Sequence, residues 1–302
     1  MQKRKIHLGI NLGFAINKYF EPQIWTKIVR EDLGLDRVQF VADNLNPFLP
    51  KEYVDAQVEK TLHYIKEYDI NVTSVFTSAF TRVNHLMHPD KECREIWVDW
   101  FKRLFDIGVR LGAKSGGSHF GIMTFDSYEH NREFIIEEGV KNWQRLSKYA
   151  KEIGFDFIFF EPMSVPREMA NTVAETKSLM DRVNANCGVP MRVCLDVGHA
   201  PAPSERDPYP WVEKLGKYSP IIHLQQTQLN KSNHWPFIKE YNEIGIIKAD
   251  KLIDTWKKSG AEEAEFMFEI SHREHYDTEF RIIPDLQESV QYWKKALEEA
   301  DL

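Results

Sequence analysis

The sequence predicts a closed eight-stranded β/α barrel. Three observations lead there. Eight short strand-like runs recur along the chain, helix-period stretches lie between them, and no glycine-rich phosphate loop opens the series. Strands alternating with helices imply parallel βαβ units. Eight such units suit a closed barrel better than an open doubly wound sheet. The pattern GxGxxG is absent after the first strand and GxxxxGK[ST] is absent throughout, so the nucleotide-binding alternatives lose their main support.

The strand-like runs are, in order, Ile6–Ile10, Arg37–Val41, Asn71–Val75, a weak Gly-rich Lys114–Ser118, Phe155–Phe160, Met191–Leu195, Pro220–Leu224 and Glu265–Ile270. Apolar residues at helical spacing predict helices over 53–68, 93–111, 134–153, 173–186, 249–259 and 285–300. Leu33-Gly34 and Leu111-Gly112 each place a glycine where a helix C-cap is wanted, just before a strand.

Composition narrows the function. The 302 residues suit one catalytic domain over 1–302, and no Pro/Gly/Ser-rich or charged stretch marks a linker. Lys plus Arg is 39 and Asp plus Glu is 46, a net charge of −7, which argues against a nucleic-acid partner. No apolar run approaches the roughly 20 residues of a membrane helix. Cys93, Cys187 and Cys194 form neither a disulfide framework nor a metal knuckle. The basic start, Met1–Lys5, leads into a strand rather than an apolar leader core. A soluble cytoplasmic protein is the expectation. Trp97 and Trp100 lie on a predicted helix as core or as the interface of a homo-oligomer.

The active site of such a barrel lies at the C-terminal ends of its strands. Four successive ends carry ionisable side chains: Glu161, Asp196 with His199 three residues on, His223, and Glu269. Each has an ordinary alternative. A strand-end Glu is commonly solvated or paired, Asp196 suits a helix N-cap, and a lone strand His is commonly a core residue. Glu269 has Arg273 and His272 nearby as partners. The joint pattern carries the reading. Three carboxylates converging with one imidazole repel unless a cation joins them. An oxygen-rich set with one imidazole suits one divalent ion, Mn²⁺ first, with Mg²⁺ or Co²⁺ as alternatives, better than a structural zinc.

At these residues the chain resembles the xylose-isomerase-like TIM barrels, and within them the sugar-phosphate isomerase/epimerase group. The segments 77–85 (TSAFTRVNH), 117–121 (GSHFG) and 234–237 (HWPF) resemble the erythrulose-phosphate 3-epimerases. The resemblance implies that Glu161, Asp196, His223 and Glu269 hold the ion, that Glu161 and Glu269 also act as the acid/base pair, and that His199 contacts a substrate hydroxyl. Many free-ketose epimerases of the group carry a second Glu six residues after the first. Here Arg167 stands there, and Lys231 and His234 follow the seventh strand where an Arg is common. Cations in these places fit a phosphorylated small sugar. Arg167 equally suits a solvent-facing helix start.

Further candidates are Asn11 and Asn17 for substrate hydroxyls or turns, and His119 and His85 as pocket-wall or satisfied histidines. Arg82 is a phosphate ligand or a salt-bridge partner. Phe14, Phe76, Trp235 and Phe237 are shields of the site or plain packing. The expected reaction is 3-epimerisation through an enediolate. An aldose–ketose isomerase, a repair endonuclease and a non-catalytic sugar-binding protein are the rivals.

Overall fold

The computed structural model describes residues 4–77, 82–199, 205–272 and 280–302. Its strands are β1 (Lys5–Asn11), β2 (Arg37–Val41), β3 (Asn71–Phe76), β4 (Ser115–His119), β5 (Phe157–Glu161), β6 (Met191–Asp196), β7 (Ile221–Leu224) and β8 (Glu263–Phe268). They follow one another in chain order around a closed parallel barrel, as the sequence predicts. The helices described are α1 (Pro22–Lys27), continued by a π-helical turn Ile28–Asp32, then α2 (Lys51–Glu67), α3 (Lys91–Leu111), α4 (Phe125–His130), α5 (Arg132–Ile153), α6 (Val173–Asn184), α7 (Pro208–Leu215), α8 (Lys239–Ile244), α9 (Ala249–Lys258) and α10 (Ile282–Glu299).

Six of these match the predicted helices to within about three residues. The four short ones, α1, α4, α7 and α8, give too few turns for a periodicity to register. Two of them carry a start signal all the same. The Asp207 carboxylate caps Tyr209 N ahead of Pro208, and the Thr124 hydroxyl caps Ser127 N. β5 begins two residues later than expected because Gly154 ends α5 in a left-handed conformation and the Phe155 amide folds back onto Ala150 O.

By internal packing the chain falls into two compact units. One comprises residues 1–38, 64–70 and 194–302, the other 39–63 and 71–193, so β2 and β6 each run through both. In the first unit β8 pairs with β1 from Glu263↔Lys5 to Phe268↔Ile10, and with β7. Its core is aromatic: the Trp293 ring meets Phe237 and Phe266 edge-on at 5.3 and 5.9 Å, and Trp256 meets Phe266 at 6.1 Å. In the second unit β4 pairs with β3 and β5. Here α3 sends Phe101 and Phe105 inward, and Phe101 packs on Trp143 of α5 at 5.7 Å. Each such side chain contributes about 2–3 kcal/mol by leaving water. Trp100 is core, its indole N–H donating to Asn46 Oδ1 at 3.1 Å. The glycines that weaken β4 as a sequence signal are required there. A Cβ on Gly117 would lie 2.2 Å from Phe159 O.

Candidate active site

The geometry is built from the ends of β6, β7 and β8. Asp196 closes β6 and stands opposite His223 in the register. Alternation along β7 then places Gln225 on the face of His223. Gln225 Nε2 lies 3.0 Å from both Asp196 oxygens, and Gly198 N donates to Asp196 Oδ1 at 2.5 Å. The carboxylate is therefore held from two sides. His199 Nδ1 is 3.8 Å from Asp196 Oδ2.

His223 is fully buried with both nitrogens placed. Nε2 lies 3.3 Å from Cys194 Sγ and Nδ1 lies 3.2 Å from Glu269 Oε2. Glu269 follows β8 directly, its amide donating to Leu224 O. After β7 the chain makes a short excursion closed by two backbone hydrogen bonds between Gln226 and Trp235. His234 lies on its return limb with φ +51°, a conformation uncommon outside glycine. Its amide donates to Gln225 Oε1 at 2.6 Å, its Nδ1 meets Glu269 O at 3.1 Å, and its ring meets that of His199 edge-on at 5.3 Å.

These residues fit a cation. Burial alone would raise the Glu269 carboxyl. The His223 imidazole outweighs that, with His234 and the Asp196 carboxyl helping, and holds Glu269 below the usual carboxylate range. The lowering thus depends on positive charge beside it. Glu269 Oε2 is buried and makes no well-formed hydrogen bond. One ligand atom from each of Asp196, His223 and Glu269 lies within 4.8 Å of the others, and the same holds for Asp196, His199 and His234. Asp196, His223 and Glu269, singled out in sequence as ligands, are thus brought together. Glu161 is the last residue of β5 and is 3% exposed.

The ends of β3 and β4 carry a different cluster. Leu86 N donates to His85 Nδ1 at 2.6 Å, so the proton of a neutral His85 ring sits on Nε2 and points at Ser118 Oγ, 3.4 Å away. Thr77 Oγ1 donates to Ser118 Oγ at 2.7 Å. Ser118 then turns its own proton to His119 Nδ1 at 3.3 Å, and His119 Nε2 donates to Val83 O at 3.2 Å. Burial above all pushes His119 down to about 4, and the Arg82 charge adds to that against the Val83 carbonyl. Burial likewise holds His85 well below its ordinary value, with His119 adding to it. Both nitrogens of His119 are engaged within the protein.

The remaining candidates divide. Arg167 lies in a short 3₁₀ turn, donates to Met123 O at 2.5 Å and stacks over Phe125 at 4.2 Å. Arg82 pairs with the buried Glu168 at 2.6 Å. Asn11 Oδ1 caps the turn after β1 by accepting from Gly13 N at 2.7 Å. His272 pairs with Asp285 at 3.1 Å rather than with Glu269. Phe237 is core, and Trp235 stacks on Tyr241 at 4.5 Å. Lys231 is exposed on the excursion after β7. Residues 78–81 of the TSAFTRVNH segment and Arg273 lie outside the described residues. Sequence reasoning missed Gln225 and Cys194 as neighbours of the ligands. Strand alternation from His223 was the available signal for Gln225; a single buried cysteine offers none.

The model of the xylose isomerase-like TIM barrel family matches residues 29–298. The chain belongs to that family. It is 33% identical over 293 residues to a D-erythrulose 1-phosphate 3-epimerase of Brucella abortus (strain 2308), covering 95% of this chain and 94% of that one. Its fold superposes on a provisionally named xylose isomerase from Rhodospirillum rubrum with a TM-score of 0.87, at 25% identity over 96% of this chain and 99% of that one. A D-psicose 3-epimerase from Clostridium cellulolyticum shares the fold with a TM-score of 0.72 at 16% identity, over 96% and 99% of the two chains. The chain is accordingly an enzyme of the isomerase class. Among the described residues, no helix is long and apolar enough to cross a membrane.

Proposed function

We propose that the chain is a divalent-metal-dependent 3-epimerase of a small ketose phosphate, with erythrulose 1-phosphate as the substrate. The observation that carries the reading is the convergence of Asp196, His223 and Glu269 ligand atoms within 4.8 Å, in a chain 33% identical to an epimerase of that substrate; Glu161, the last residue of β5, is assigned to the same set by the strand-end pattern of the sequence. These four residues would hold the ion, with Mn²⁺ favoured over Mg²⁺ or Co²⁺ by the mixture of carboxylates and one imidazole. When bound, the ion would polarise the ketone and orient the neighbouring hydroxyl, which makes the C3 proton acidic enough for a carboxylate to remove.

Everything else falls to the chain's own side chains. Glu269, held ionised, is the base on one face of C3. Glu161 returns a proton to the opposite face, so the carbon inverts. In the reverse direction the two exchange roles. Gln225 keeps Asp196 from rotating, and Cys194 takes the second nitrogen of His223 and so orients the ring. His199 and His234 stand beside Asp196 and Glu269 as donors to substrate hydroxyls.

The test is incubation of the Mn²⁺-loaded protein with L- and D-erythrulose 1-phosphate in deuterated water, followed by NMR at C3. Deuterium at C3 with appearance of the other epimer is the expected result. Aldose formation instead would make the enzyme an aldose–ketose isomerase, the reading favoured by the Rhodospirillum rubrum relative. Absence of both exchange and metal binding would remove the site altogether.

A further inference from the structure

One cleft near the strand ends is lined by two cationic side chains, Arg206 and Lys231. It lies between the turn that leads into α7 and the excursion after β7, and is partly open to solvent. Gly198, Arg206, Thr227, Gln228, Asn230 and Lys231 line it. Many arginines of this acidic chain are paired with carboxylates, among them Arg37 with Glu265, Arg94 with Glu138, Arg145 with Glu95, and Arg182 with Glu133 and Glu137. Among the described residues, neither Arg206 nor Lys231 has a carboxylate within ion-pair distance. Of the two acidic residues that flank Arg206 in the chain, Asp207 is turned to cap α7. Two cations that share a cleft without a counter-ion repel each other, and an anion removes that repulsion.

The cleft is also held in shape. Trp211 Nε1 donates to Glu205 O at 3.0 Å and fixes the residue before Arg206. On the other side Thr227 Oγ1 reaches Lys231 O at 2.7 Å, Lys231 N reaches Gln228 O at 3.1 Å, and Asn233 Oδ1 accepts from Gln228 N at 3.1 Å. Asn230 adopts φ +64° at the tip. These bonds fold the loop so that Lys231 sits on the cleft wall. The floor residue Gly198 is two residues from Asp196 and bonded to its carboxylate. Two peptide units span no more than about 7 Å. An anion in the cleft is therefore about one short substituent away from groups bound at Asp196.

We propose that this cleft is the phosphate subsite of the enzyme, with Arg206 and Lys231 as its charge partners and the side chains of Gln228 and Asn230 as neutral donors. The assignment rests on the ketose-phosphate reading above. It makes Arg206 a specificity residue. A guanidinium fork and an ammonium together match a phosphate dianion, and neither gains anything from a free sugar terminus.

The test compares wild type with Arg206→Gln, Lys231→Gln and Arg206→Lys in three measurements: KM and kcat for erythrulose 1-phosphate, turnover of unphosphorylated erythrulose, and inhibition by inorganic phosphate. Each Gln variant is expected to raise KM about tenfold or more and to weaken phosphate inhibition to match, with kcat and the free-sugar rate little changed. Arg206→Lys should recover part of the loss. Melting curves establish that the variants are folded, and Arg206→Lys serves if Arg206→Gln is not. Unchanged KM and phosphate inhibition in folded variants, with wild type epimerising the phosphate, would overturn the subsite and leave the epimerase standing. A wild type that prefers free erythrulose and ignores inorganic phosphate would overturn the phosphate reading and this subsite with it.

Discussion

The strand ends carry two buried polar clusters, and they solve the same problem in opposite ways. At β3 and β4, Thr77, His85, Ser118 and His119 form a chain in which every donor has an acceptor and both imidazoles are neutral. At β6 to β8, Glu269 Oε2 lies buried without a well-formed hydrogen bond beside Asp196 and His223. A closed network is complete without a ligand. An incomplete set of carboxylates requires charge from outside. The difference separates two kinds of histidine that look alike in the sequence: His119 is satisfied within the fold, and His223, on the function proposed above, would serve the ion.

The largest expected effect strikes the incomplete cluster. Glu161→Gln and Glu269→Gln should each lower epimerase turnover about 10²- to 10⁴-fold, the usual worth of a general acid or base. Melting temperature measured without metal should hold steady or rise, because a carboxylate is removed from a crowded site. A near-normal rate in either purified variant sinks the two-base scheme. The closed cluster predicts the opposite profile, with stability affected and turnover spared. His119 has a folded value near 4 against an ordinary 6.5. The unfolded chain therefore takes up a proton below pH 6.5 that the fold refuses. Its contribution is complete above 6.5 and is lost as pH falls towards 4, by about 3 kcal/mol. His119→Gln should flatten the urea midpoint between those pH values. An unchanged slope would mean that the network is open to water.

Gln225 tests the comparison from the other side. Its amide nitrogen holds Asp196 and its oxygen holds the His234 amide, so Gln225→Leu should weaken Mn²⁺ binding about 10- to 100-fold, read by titration of the metal itself. Loss of metal affinity with the fold retained identifies a positioning residue. Unchanged affinity would show that Gly198 N alone holds the carboxylate.

How much of this was legible in the sequence follows from the same physics. The eight strands stood out because seven are apolar runs, and the eighth, Ser115–His119, followed from spacing even though close packing at Gly117 strips its pattern. Glu161, Asp196, His223 and Glu269 stood out because an ionisable group ending an apolar strand is costly to bury and so calls for a reason. Gln225 did not, since an amide in a strand has no such cost until its partner is known. Arg206 did not, because its meaning lies in the cleft it shares with Lys231, and nothing along the chain shows that the two line one wall. His119 was ambiguous for a related reason. Nothing in its neighbours along the chain reveals that Val83 and Ser118 would occupy both its nitrogens.

The smallest effect concerns Arg82, which the sequence offered as a phosphate ligand or a salt-bridge partner. Its guanidinium is committed to Glu168, with Nε at 2.8 Å and Nη2 at 2.6 Å from the same oxygen. Arg82 is 56% exposed while the Glu168 side chain is 6% exposed. The attraction is therefore screened on one side, but the carboxylate left behind would be buried. Arg82→Met should cost about 1 kcal/mol of stability, above the median for an exposed pair and well below that for a pair buried on both sides. KM for the phosphorylated substrate should not change. A tenfold rise in KM would show that Arg82 leaves Glu168 for the substrate and would shift the anion-binding role from the Arg206 and Lys231 cleft towards β3. A stability loss with KM unmoved assigns Arg82 to the fold, as His119 is assigned, and leaves recognition to the ends of β6 and β7.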